Sequence, residues 1–251
     1  MKLIMEDWRK YLNEAVGIDE DDLAVKIKEF GNDIGIVLYK VGKRRATPEG
    51  LSEPGPPEVI GTCRIKLTKE KCIPPTYQVS TIARASEFKG MGIGSLLYKL
   101  AASVAAEMDG GITSDHTYSS SIDAYKAWQR IENNPEYEKR ETSAGNDTFD
   151  YEKKTPDPDD DCNKPGVAGQ NIAATTHSYK IKQIPDIYYK LLKKHRIMTS
   201  TLDKRGTRDY EIFLDKQASP LFSKEYSGAK TLTKSYLSWW RKLLRKMGVG
   251  D

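Results

Sequence analysis

Between a run of strand-forming residues and an amphipathic helical pattern stands the stretch Lys89-Gly90-Met91-Gly92-Ile93-Gly94. Three glycines at alternate positions let the backbone turn tightly with several N–H groups facing one way, and the helix that follows adds its positive end. The stretch therefore reads as a phosphate cradle, and it requires a strand to enter and a helix to leave. It is not a Walker loop, because Ser95-Leu96-Leu97 follows the last glycine instead of Lys-Ser/Thr. Nor do its glycines have the G-x-G-x-x-G spacing of a dinucleotide-binding turn.

The flanks fill in the unit. Ile34 to Val41, Val59 to Leu67 and Tyr77 to Ala83 are rich in β-formers, with alternation through Ile60, Thr62, Arg64 and Lys66, while Lys43 to Pro57 reads as a loop. After the cradle, Ile93, Leu96, Leu97, Leu100, Ala101 and Val104 share one helical face, and the helix is expected to end near Gly110-Gly111. A short strand over 111–115 follows, and then a capping pattern, Ser120-Ser121-Ile122-Asp123, that opens a helix over 122–131. Thr148 to Glu152 is strand-like. Gly17 to Phe30 is compatible either with a helix carrying acidic first-turn residues or with a strand. The succession is that of an α/β fold with crossovers.

In this setting the cradle resembles the Q/R-x-x-G-x-G/A signature of the GNAT superfamily of N-acetyltransferases, with Lys89 where that family usually carries Arg or Gln. The resemblance covers residues 34–152. It implies a mixed, mainly antiparallel central sheet with helices on both faces, and acetyl-CoA as co-substrate. By the same resemblance, Lys89, Gly90, Met91, Gly92, Ile93, Gly94 and Ser95 would surround the pyrophosphate. Ile82, Ala83 and Arg84 would pair with the pantetheine arm where the strand before the loop splays from the next. The implied reaction is attack by an amine, for instance a protein lysine or N-terminus, on the thioester. The family's usual acid is a tyrosine in an N-x-x-A-x-x-x-Y pattern. Aligned on Ser121 and Ala124, that pattern puts Trp128 at the tyrosine position, a departure that leaves Tyr125, one turn earlier, as the acid candidate. Asp115 or His116, at the strand end, is the candidate base.

Composition narrows the alternatives. In 251 residues there are 30% charged and 38% hydrophobic side chains, and no apolar run approaches the roughly 20 residues that span a bilayer. Three cysteines without C-x-x-C spacing and three scattered histidines indicate neither a disulfide framework nor a metal site, and favour a reducing cytoplasm. A net charge of +4 does not by itself imply nucleic acid.

Four segments are expected: residues 1–16, 17–154, a linker over 155–167, and a largely helical C-terminal extension over 168–251. The first is an amphipathic helix. It either packs on the fold or, since Leu12-Asn13-Glu14 follows an aromatic amphipathic stretch, resembles the capsid-targeting peptides of T-even-like phage internal proteins. That second reading implies cleavage after Glu14 and packaging in the virion interior. Counting the linker's aspartates from Asp157 as an EF-hand puts Cys162 and Ala168 where Gly and Glu are needed, so it reads as solvated and acidic. In the extension, residues 184–195 read as a helix and Tyr210 to Leu214 as a short strand. Leu232, Tyr236, Trp239, Leu243 and Met247 form a stripe flanked by basic residues, which suits either a docked helix or contact with nucleic acid or an anionic membrane surface. Against the enzyme stand two further readings: a non-catalytic virion or host-interaction protein that keeps the fold, and a nucleic-acid-binding protein.

Overall fold

The computed structural model describes residues 20–30, 33–42, 46–47, 50–51, 56–67, 74–114, 122–141, 177–200, 202 and 204–222. The chain enters through a short 3-10 turn, Glu20–Asp22, into β1, Leu23–Phe30, and returns as β2, Asp33–Lys40. The ambiguous acidic segment is thus a turn followed by a strand. A two-strand ribbon, β3 at Ala46–Thr47 and β4 at Gly50–Leu51, interrupts the stretch expected to be loop. Then come β5, Glu58–Leu67, and β6, Thr76–Arg84. After the glycine loop, α1, Ile93–Glu107, crosses to β7, Gly111–Ser114. The rest is α2, Ile122–Glu132; β8, Tyr137–Glu141; β9, His177–Ile181; α3, Asp186–Ser200; and α4, Lys204–Ala218.

Seven strands make one sheet in the order β1-β2-β5-β6-β7-β9-β8. Among the described residues only β6 and β7 are parallel, and every other neighbouring pair is antiparallel. The parallel pair is joined through α1, because parallel neighbours need a crossover and a helix supplies its length.

Alternation along the strands sorts side chains onto two faces. Leu23, Val25, Ile34, Ile36, Leu38, Cys63 and Ile65 form a core with Ile93, Leu96, Leu97 and Leu100 of α1 and with Tyr188, Leu191 and Leu192 of α3. On the opposite face Ala24, Val37, Tyr39 and Val59 meet Leu214 and Ala218 of α4 and Phe222 beyond it. Helices therefore cover both faces of a mixed, mainly antiparallel sheet. Each fully buried Leu or Ile contributes about 1.5–3 kcal/mol, so among the described residues the first face, with thirty buried residues against seven, carries the larger share of the apolar stabilisation.

Three expectations change. Tyr210 to Leu214 is not a strand but lies inside α4, whose buried residues Leu214 and Ala218 are four apart; the apparent alternation was a helical stripe sampled over too few residues. Strands β8 and β9 are additions that the sequence reading lacked. Within residues 168–251, β9 joins the sheet between β7 and β8, and the other described elements, α3 and α4, are helical. The end of α1 differs in a smaller way. Asp109, at φ 60, takes the left-handed position expected of a glycine, with Gly110 N–H on Ala105 O at 2.8 Å and Asp109 N–H on Ala106 O at 3.0 Å. Gly110 is needed for another reason: a Cβ there would lie 2.7 Å from the Tyr77 ring.

Residues 1–16, the strand-like piece at 148–152, the acidic linker and the stripe from Leu232 to Met247 lie outside the described residues. Among the described residues no helix is long and apolar enough to cross a membrane.

Candidate functional site

The loop between β6 and α1 begins with a 3-10 turn, Ser86–Phe88, anchored by the buried Phe88 ring. Lys89 N–H donates to Ser86 O at 3.2 Å and Met91 N–H to Phe88 O at 3.4 Å. Gly90, at φ 83, and Gly92, at φ 73, both occupy the left-handed region, where other residues are strained. Gly92 is the N-cap of α1, and its carbonyl accepts the Leu96 N–H at 3.1 Å.

A helix leaves its first N–H groups without intrahelical acceptors, and most helices answer with a Ser, Thr, Asp or Asn side chain at the cap. Among the described residues no side chain caps the start of α1, and its first turn carries no acidic residue. Lys89 and Gly90 are exposed, and a Cβ placed on Gly90 or Gly94 would meet nothing within 4 Å. The amides of Ile93, Gly94 and Ser95 lie at the positive end of a fifteen-residue helix.

The strands beneath diverge in their pairing. Between β6 and β7 the described register runs from Thr76–Gly111 to Val79–Ser114 and goes no further, whereas β6 continues to Arg84. On its other side β6 stays paired with β5 through Thr81–Arg64, Ile82–Cys63, Ala83–Thr62 and Arg84–Gly61, and Ala85 N–H extends this to Ile60 O at 3.0 Å. Ser80 is an extra residue in that register, a bulge that turns the second half of β6. Ile82, Ala83 and Arg84 therefore present one backbone edge with no strand partner among the described residues, next to the start of α1.

The candidate catalytic residues are less well defined. Asp115 and His116 lie outside the described residues. Tyr125 belongs to the second turn of α2, but its side chain is outside the description. Trp128 is clear. It is 2% exposed, edge-on to Tyr98 of α1 at 5.1 Å and tilted against Tyr179 of β9 at 6.1 Å. The residue aligned with the usual acid is a packing residue between α2, α1 and the sheet.

A polar cluster missed by sequence reading lies on the other face. Tyr39 hydroxyl is 2.7 Å from His195 Nδ1, and His195 Nε2 is 3.1 Å from Glu211 Oε1. Lys26 pairs with Glu211 and, at 3.1 Å, with Asp215, which also pairs with Lys28. Burial alone would raise the Glu211 carboxyl, but bonds from His195 and Lys26 and their charges outweigh it and hold the carboxyl at about 2. Burial pushes the Tyr39 hydroxyl well above its ordinary value, so it stays protonated at neutral pH. The cluster fastens α3 and α4 to β1 and β2. Its bonded partners are 16 to 189 positions apart in sequence, and no local pattern joins them.

The chain matches no model of a known protein family, no curated protein and no solved structure.

Proposed function

We propose that the protein is an acetyl-CoA-dependent N-acyltransferase whose acceptor is an amine, such as a protein lysine or N-terminus. The observation that carries the reading is the meeting of a glycine-rich helix start without a side-chain cap and a stretch of β6, Ile82 to Arg84, without a second strand partner, both among the described residues. In the GNAT resemblance these are the seats of the pyrophosphate and of the pantetheine arm. The amides from Met91 to Ser95 would hold the diphosphate through charge-assisted bonds of about 1.5–3 kcal/mol each. Lys89 would add a point charge at the rim. Backbone groups of Ile82 to Arg84 would take the amides of the arm as a further strand would.

The chemistry is a direct transfer. The acceptor nitrogen, after losing a proton to a base, attacks the thioester carbonyl; a C–N bond forms, the C–S bond breaks, and the thiolate leaves with a proton from an acid. Asp115 or His116 is proposed as the base and Tyr125 as the acid. If the targeting resemblance of residues 1–14 holds, the enzyme is carried in a phage head and acts in the host after delivery.

One observation favours a second reading, a virion or host-interaction protein that binds the cofactor without turning it over: Trp128, aligned with the usual acid, is fully engaged in packing. Calorimetry with acetyl-CoA separates the cases. Binding that Gly92→Glu removes is the expected result, and absence of binding to the wild type would sink the proposal. Release of free thiol with amine or lysate acceptors then supports transfer; binding without thiol release under any acceptor moves the assignment to the second reading.

A further inference from the structure

We infer that Gly61, on β5, is a positioning residue for the loop: its lack of a side chain sets how deeply the first turn of α1 seats on the sheet. The functional consequence rests on the cofactor reading above.

Gly61 lies opposite Arg84 in the β5–β6 register, beneath the loop and not within it. A Cβ at this position would fall 2.9 Å from Leu97 Cδ1, 3.0 Å from Ile93 Cγ2 and 3.1 Å from the Ala83 carbonyl oxygen. The end of the flexible Leu97 side chain could swing away, but the contacts to Ile93 Cγ2 and to the Ala83 backbone oxygen are tighter than nine in ten real Cβ contacts, so these neighbours would have to give by a few tenths of an ångström. The three neighbours belong to the two halves of the candidate site. Ile93 and Leu97, both 0% exposed, are one turn apart at the start of α1, and Ala83 belongs to the open stretch of β6.

The fold makes a special arrangement here. In the β2–β5 register Leu38 faces Gly61 and Tyr39 faces Val59, so Ile60 is an extra residue. That bulge breaks the alternation, and both Ile60 and Gly61 turn toward the α1 face. A larger residue in the second of these places would hold the helix off the sheet. Close-packed interiors pass such a push on to their neighbours, and Ile93 is the residue next to the Gly92 cap. Displacing it would shift the amides of Ile93, Gly94 and Ser95 relative to the Ile82–Arg84 edge. The two halves of the site would still exist, but at the wrong separation.

The test uses the full chain in four forms. Gly61→Ala is expected to raise the acetyl-CoA Kd by about tenfold or more, as misplacement of a binding group by a fraction of an ångström does. Gly61→Ala/Leu97→Val removes the clashing Cδ1 and is expected to bring the Kd back to within about threefold of wild type. Leu191→Ala, in the core between α3 and the sheet and away from the loop, is the stability control; it lowers the melting temperature and leaves the Kd within about twofold. A Kd unchanged in Gly61→Ala, or raised equally in Leu191→Ala, overturns the inference. Should Gly61→Ala alone not fold, a folded double variant with near-wild-type Kd supports the inference, and one with Kd tenfold up overturns it. Failure of the cofactor reading is distinguishable, because the wild type would then not bind at all. In that event, amide NMR shifts of Met91 to Ser95 in ligand-free protein decide the seating claim: displaced in Gly61→Ala and restored in the double variant supports it, unmoved refutes it.

Discussion

The start of α1 can be tested by a substitution that should strengthen the fold while it abolishes binding. Gly94 is the second residue of the helix; its φ is not left-handed, and a Cβ there meets nothing within 4 Å. Gly94→Glu replaces the weakest ordinary helix former with a good one, a gain of about 0.5–1 kcal/mol. It also sets a negative charge over the first turn, worth about 0.3–1 kcal/mol more. The sum, about 1–2 kcal/mol, corresponds at about 2–4 °C per kcal/mol to a rise in Tm of several degrees for a domain of this size. For a bound diphosphate the sign is opposite. A carboxylate about 6 Å from one phosphate charge, at an effective dielectric constant of about 20, costs about 3 kcal/mol, or on the order of a hundredfold in Kd. Gly94→Gln separates the causes, since it keeps most of the propensity gain without the charge and should leave the Kd nearly unchanged. Thermal melts and calorimetry with acetyl-CoA read both quantities. A higher Tm with an unchanged Kd would show that no phosphate sits at this turn. A Tm lowered by several degrees would refute the open, uncapped start itself.

Trp128→Ala should destabilise by about 3–5 kcal/mol through the cavity left between Tyr98 and Tyr179, whereas Trp128→Phe should keep any transferase turnover; a turnover lost in the folded Phe variant would show that the indole takes part in the reaction. Tyr125→Phe should lower kcat and leave the acetyl-CoA Kd unchanged, and an equal kcat in both forms would dismiss the hydroxyl as acid. Because the folded Glu211 carboxyl is held at about 2, below its unfolded value, its stabilising contribution is complete above about pH 4.5 and is lost as the pH falls toward 2. Melts from pH 6 to pH 2 should therefore fall more steeply in wild type than in Glu211→Gln, and parallel curves would contradict the assignment.

Much of the first half of the chain was legible because its signals are local. The alternation through Ile60, Thr62, Arg64 and Lys66 marks β5 directly, and the stripe from Ile93 to Val104 marks α1. The loop between them reads from three glycines, two of which take the left-handed conformation for which glycine is suited. What failed was of two kinds. Tyr210 to Leu214 is too short a window to separate a period of 2 from one of 3.6, and packing of Leu214 and Ala218 on Val37, Tyr39 and Val59 decided for helix. β8 and β9 are five-residue strands rich in charged and polar residues, held by pairing with partners about forty positions apart, which no nearby pattern announces.

From local residues alone, then, came the strand–loop–helix unit, because glycine conformation and helix polarity are properties of neighbouring residues. Only the tertiary structure decided that β9 enters between β7 and β8 and that Trp128 is a packing residue. It also brought Gly61 beneath a helix that begins 32 residues later. Each of these depends on which surfaces meet across long separations, and that is settled by burial and register over the whole sheet and not by any short stretch of it.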